Sequence, residues 1–96
     1  MSRQELGERL EMLLVMQWLD EGAPEDGAIA LSVATAAGEL GLEAGREGLL
    51  AVMGALGDLE ERRQVSVTWP GGAEAEARVA LAPALRRDAR RLFGRA

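Results

Sequence analysis

The chain has 96 residues, 48% of them hydrophobic and 28% charged, and a formal net charge of −5. That length holds one domain, residues 1–96, with no room for a second core. There is no Cys, His, Lys, Tyr or Asn, and all eleven bases are Arg, which excludes disulfides, thiolate nucleophiles, zinc–sulfur sites and imidazole chemistry.

The first residues mix Arg3, Glu5, Glu8, Arg9 and Glu11, unlike the basic start and apolar run of a secretion signal. The longest strongly apolar run, Met12 to Met16, is far too short to span a bilayer. A cytoplasmic protein with no membrane contact is the expectation. Over 3–20 the spacing predicts a helix, with Leu6, Leu10, Leu13, Leu14 and Trp18 on one stripe. Met12, Val15, Met16 and Leu19 make a second stripe on the opposite side. One stripe packs on the domain's own core, and the second is expected to meet another subunit.

Asp20 to Gly27 ends this helix, with Gly22 as the C-terminal cap and Pro24 just beyond. Its four carboxylates lack the alternation and the final bidentate Glu of a calcium loop, so no metal site is expected. Ala28 to Leu31 reads as a short extended segment. Ser32 then caps a short helix through Leu40, with Val33, Ala36, Ala37 and Leu40 inward, and Gly41 closes it. The next helix starts near Glu43 and runs to about Arg63, with Leu49, Val52, Met53, Leu56 and Leu59 as its inner stripe. Glycines at 45, 48, 54 and 57 leave its start open, and 43–48 can stay a loop.

The period then changes to two. Val65, Val67 and Trp69 alternate with polar residues, and Ala75, Ala77, Val79 and Leu81 do the same beyond Pro70-Gly71-Gly72. This predicts a β-hairpin about a type II turn. Pro83 opens a last helix with Leu85, Ala89, Leu92 and Phe93 inward and Arg86, Arg87, Arg90 and Arg91 outward.

The predicted class is α+β and mainly helical. Ser32 to Leu42 (SVATAAGELGL), Gly54 to Val67 (GALGDLEERRQVSV) and Arg78 to Leu92 (RVALAPALRRDARRL), in that order, resemble a winged helix-turn-helix domain of the MarR-like regulators, over about residues 28–92. The resemblance implies a two-stranded β-hairpin wing, flanking N- and C-terminal helices that build a homodimer, and DNA binding as a transcriptional regulator. Two departures stand out: the segment from Gly41 to Val65 is long and Gly-rich, and Arg63-Gln64 replaces the usual Gly before the first wing strand.

Binding a duplex requires bases that neutralise phosphates and read base edges. Residues 1–61 hold thirteen acidic and three basic side chains, whereas 62–96 hold eight basic and three acidic. The outer face of the second motif helix therefore reads as acidic and small. Glu47, Leu50, Gly54, Asp58 and Glu61 form a candidate docking face for a protein partner. Met12, Val15, Met16, Leu19, Leu92 and Phe93 form the candidate homodimer interface. Arg46, Arg62, Arg63, Arg86, Arg87, Arg90 and Arg91 are the candidate contacts for the alternative, duplex DNA. The few hydroxyls sit in no nucleophile motif and the glycines make no phosphate loop. No catalytic residue, cofactor or metal ligand is expected, and the preferred reading is a protein-interaction or assembly module.

Overall fold

The computed structural model describes residues 1–43, 45–69 and 76–93. Its elements run α1 (Arg3–Asp20), β1 (Ala28–Ser32), α2 (Val33–Glu39), α3 (Arg46–Glu61), β2 (Val65–Thr68), β3 (Glu76–Leu81) and α4 (Pro83–Phe93). The fold is α+β and mostly helical. The turn expected at Pro70-Gly71-Gly72 lies outside the described residues.

Local chemistry accounts for most helix ends. Ser2 and Ser32 are N-caps: their Oγ atoms accept from the backbone N–H groups of Glu5 at 3.1 Å and Thr35 at 3.2 Å. Such a cap is worth about 1 kcal/mol. At the other end, α1, α2 and α3 all finish in the same way. The N–H groups of Ala23, Leu42 and Gln64 reach back to the carbonyls of Trp18, Ala37 and Leu59 at 2.9, 2.9 and 3.0 Å. The residue just before each lies in the left-handed region: Gly22 at φ 89°, Gly41 at φ 74° and Arg63 at φ 61°. This is the Schellman closure, for which glycine is the unstrained choice. In α3 an arginine fills it.

The hairpin is part of a larger sheet. β1, β3 and β2 form three antiparallel strands in that order, so the expected two-stranded wing is corrected to a three-stranded sheet. Ile29 stands opposite Val79, which stands opposite Val67. Ala28 to Leu31 has the same period-two burial as the hairpin, and its pairing satisfies backbone groups that β3 would otherwise present at an open edge. The two remaining edges are blunted by side chains. Gln17 Nε2 donates to the Ala30 carbonyl at 2.7 Å, and the Val67 N–H donates to Glu60 Oε2 at 3.0 Å.

The core gathers Leu10, Leu14 and Trp18 of α1, Val33 of α2, Val52, Leu56 and Leu59 of α3, and the inner face of the sheet. Trp18 is wholly buried and its Nε1 donates to the Pro24 carbonyl at 2.9 Å. The acidic loop after α1 uses two carboxylates locally: Glu21 Oε2 accepts from Gln17 Nε2 at 2.8 Å, and Asp26 Oδ1 accepts from the Ala28 N–H at 3.0 Å. Among the described residues no helix is long and apolar enough to cross a membrane.

Three helices differ from the sequence pattern: on α4 only Leu85 and Ala89 of the expected inner stripe are buried, and Leu92 and Phe93, near its last turn, stand 73% and 44% exposed. Val15 is buried in the core instead of lying on a free second stripe, and Leu19 is half-buried against it. The helix α3 is also turned. Its buried face is Gly48, Val52, Ala55, Leu56 and Leu59, while Met53 stands 38% exposed and Leu49 is only partly covered. The reason is a close approach: a Cβ on Gly48 would overlap the Glu43 carbonyl. With the preceding loop pressed on Gly48, Val52, Leu56 and Leu59 stay inward as expected, Gly48 and Ala55 join them, and Met53 turns outward.

Candidate functional site

The docking face expected on α3 is divided by its neighbours. Glu47, Leu50 and Glu61 are exposed, but Gly54 and Asp58 are half-covered. Arg3, in the first turn of α1, grips the Asp58 carboxylate through Nε at 2.7 Å and Nη2 at 3.0 Å. The same Nη2 lies 4.0 Å from where a Cβ on Gly54 would stand. The Arg3 guanidinium, by hydrogen bonding and then by its charge, holds the Asp58 carboxyl below the ordinary carboxylate range. What remains open is a ridge with Leu50 at 52% exposure and Met53 at 38%, beside a shallow hollow shared with Gly45, Arg46 and Leu49. The ridge is apolar with acidic flanks.

The arginines expected to offer phosphate contacts are dispersed or engaged. Arg46 belongs to the α3 hollow. Arg62 lies against α1, with Nη2 3.9 Å from where a Cβ on Gly7 would stand. Arg63 carries the left-handed turn. On α4 the outward cationic face is corrected in part. The Arg86 guanidinium donates to the Glu25 carbonyl, and Arg90 stacks over the Trp18 ring at 5.5 Å from its centroid. Arg86 ties α4 to the loop after α1, and Arg90 ties it to the last turn of α1. Arg91 pairs with Asp88 at 2.8 Å. Arg87 is exposed and makes no ion pair among the described residues.

The third face joins α1 and α4. Met12, Met16, Leu92 and Phe93 of the expected homodimer set are all exposed. Met12, Leu92 and Phe93 line a groove with Glu8, Glu11 and Asp88 on its walls. Met16 lies beyond Met12, on the side of α1 that faces α2. Val15 and Leu19 drop out of the set because the molecule covers them itself.

Two contributors escaped the sequence reading. Met53 was assigned inward, and Arg3 was not assigned at all. A stripe of Gly48, Val52, Ala55 and Leu59 was present at helical spacing and would have released Met53, had glycine and alanine been counted as packing residues. No local signal pairs Arg3 with a carboxylate 55 positions away.

The fold and its faces define a class: a small α+β domain with four helices and a three-stranded antiparallel sheet. No protein-family model matches the chain, and neither the curated proteins nor the solved structures hold a significant match to it.

Proposed function

We propose that this chain is a non-enzymatic protein-interaction or assembly module on a winged-helix frame, docking its partner on the exposed ridge of α3. Support for the frame is the element order, with α2 and α3 as the helix-turn-helix pair and β2 with β3 as the wing. The observation that carries the docking reading is the character of the ridge. Leu50 and Met53 are exposed between Glu47 and Glu61, with Arg46 as the base at the start of α3. In a helix-turn-helix protein the second helix enters the major groove. Here that helix would bring apolar and anionic side chains to the phosphates, and each carboxylate would repel the duplex where an arginine would release a counterion. The same ridge suits a protein surface that offers an apolar pocket bordered by bases.

Fluorescence anisotropy separates this reading from DNA-binding regulation. A labelled nonspecific duplex of about 20 base pairs in about 50 mM salt is expected to stay free. An amphipathic helical peptide with a leucine face and arginine flanks is expected to bind, and Leu50→Glu with Met53→Glu to abolish that binding. Duplex binding that is lost on adding salt, and lost in Arg86→Ala with Arg90→Ala while the variant stays folded, would sink the proposal.

A further inference from the structure

One hollow collects arginines in a chain whose net charge is −5. It measures about 470 Å³, runs along α4 from its first residue, Pro83, and is lined by Arg86, Arg87, Arg90 and Glu25. Three guanidinium groups meet one carboxylate there, a net charge of +2. The volume is that of a small-molecule site, about 300–1,000 Å³, and far larger than a phosphate group alone. The positive end of the α4 dipole lies at Pro83 and adds to the field.

Two of these arginines are held before any ligand arrives. The stem of Arg86 is pressed on Gly27, where a Cβ would stand 2.9 Å from its Cδ and 3.0 Å from its Nε. That Nε is buried without a partner, and Nη1 is fixed on the Glu25 carbonyl. Arg90 is held over the Trp18 ring, 5.5 Å from its centroid. None of the three arginines forms an ion pair among the described residues. Arg87 is fully on the surface, and the fold does not use its charge. Cations that are already ordered lose little further freedom when an anion binds.

We propose that this hollow binds the phosphoryl group of a small organic phosphate. A phosphate monoester is close to a dianion above neutral pH and offers three strong acceptor oxygens. Guanidinium groups meet such oxygens in two-pronged, charge-assisted hydrogen bonds. The charge of the ligand then balances that of the hollow. A strand of nucleic acid fits less well. Glu25 brings the acidic loop after α1 to the rim, and the same loop exposes Asp20, Glu21 and Asp26. A polyanion would lay further phosphates against that loop, whereas one compact anion does not reach past the rim. The site uses neither Leu50 nor Met53, so it stands apart from the α3 ridge and does not depend on what docks there.

Isothermal titration calorimetry of the intact chain with glycerol 3-phosphate tests it, at about pH 8 and about 50 mM sodium chloride. One equivalent is expected to bind with a Kd of about 1 mM or below, inorganic phosphate about threefold or more weakly, and glycerol not at all. Arg87→Ala, at an exposed position, keeps the circular dichroism of the parent and raises Kd about fivefold or more. Adding Arg90→Ala removes detectable binding. Glu25→Gln keeps the backbone carbonyl that Arg86 uses but removes the competing charge, and lowers Kd about twofold or more. Arg46→Ala, on α3, leaves Kd unchanged. No binding at about 10 mM glycerol 3-phosphate would overturn the proposal, as would a Kd indifferent to Arg87→Ala or raised equally by Arg46→Ala. Inorganic phosphate binding as tightly would give the hollow to the free ion, and a duplex that displaces glycerol 3-phosphate would give it to nucleic acid; either result overturns the assignment. A chain that ignores phosphate yet binds the amphipathic peptide would lose the hollow alone and leave the docking reading standing.

Discussion

Arg3 and Asp58 are joined by two hydrogen bonds, 2.7 Å through Nε and 3.0 Å through Nη2, that tie the first turn of α1 to the last turn of α3. The pair occupies one border of α3 and leaves Leu50 and Met53 as the open ridge. It also sets a pH dependence. The folded Asp58 carboxyl titrates below its ordinary value of 3.8, so its contribution to stability is fully present above that value and is lost as pH falls through the depressed one. The stability difference between the parent and Asp58→Asn is therefore expected to be constant near neutrality and to shrink towards zero in strong acid. Urea melts across that range check it. Because Arg3 is largely exposed, raised salt is expected to shrink the difference too.

Arg63 fills the place that Gly22 and Gly41 fill at the ends of α1 and α2. An L-residue held in the left-handed region costs about 1–2 kcal/mol, part of which glycine gives back as unfolded-chain entropy. Arg63→Gly is expected to raise stability by about 0.5–1 kcal/mol. Gly41→Ala, at φ 74°, is expected to lower it by about 1 kcal/mol or more. Shifts of the urea midpoint in opposite directions would establish the asymmetry.

Two glycines of α3 should respond oppositely to alanine. At Gly48 the new methyl overlaps the Glu43 carbonyl, and the loop must move, at a cost of about 1–3 kcal/mol. At Gly57 a Cβ meets nothing within 4 Å, so alanine brings only its helix propensity, about 1 kcal/mol of stabilisation. Thermal melts of both variants suffice. A Gly48→Ala protein as stable as the parent would contradict the close approach that turns α3.

Trp18 serves three partners at once: the core, the Pro24 carbonyl and the Arg90 guanidinium. Trp18→Phe removes ring volume, takes away one of the two hydrogen bonds to the Pro24 carbonyl, which still accepts from the Gly27 N–H at 3.0 Å, and weakens the cation contact, for an expected loss of about 1–3 kcal/mol. Arg90→Ala removes only the exposed cation contact and is expected to cost less than about 1 kcal/mol. Acrylamide should also quench emission from the 39% exposed Trp69 and leave the buried Trp18 signal largely intact.

Much of this architecture was legible in the residues. Local signals placed α1 over 3–20, set Ser32 as the cap of α2, and marked Gly22 and Gly41 as helix ends. They also separated the helical segments from the period-two strands. Each of these depends on neighbours within a few positions, where backbone geometry and side-chain chemistry act directly. The start of α3 was less legible, because its glycines weaken helix propensity without saying which of them is the cap. Gly45 proves to be that cap, with no side-chain oxygen to announce it.

The faces were a different matter. Periodicity determined most of the stripe that α1 and α3 each bury, but not its edges, since Val15 on α1 and Gly48 and Ala55 on α3 suit helical spacing as well as Leu13, Leu49 and Met53 do. Only the packed chain decided between them, through the Glu43 carbonyl against Gly48 on α3 and through the core around Val15 on α1. Composition likewise settled that the first part of the chain is acidic and the last part basic. It could not say which arginines are free, because Arg3, Arg86 and Arg90 find their partners on elements distant in sequence. Those meetings exist only once the helices have closed on the sheet, and the chemistry left on the surface is what they do not use.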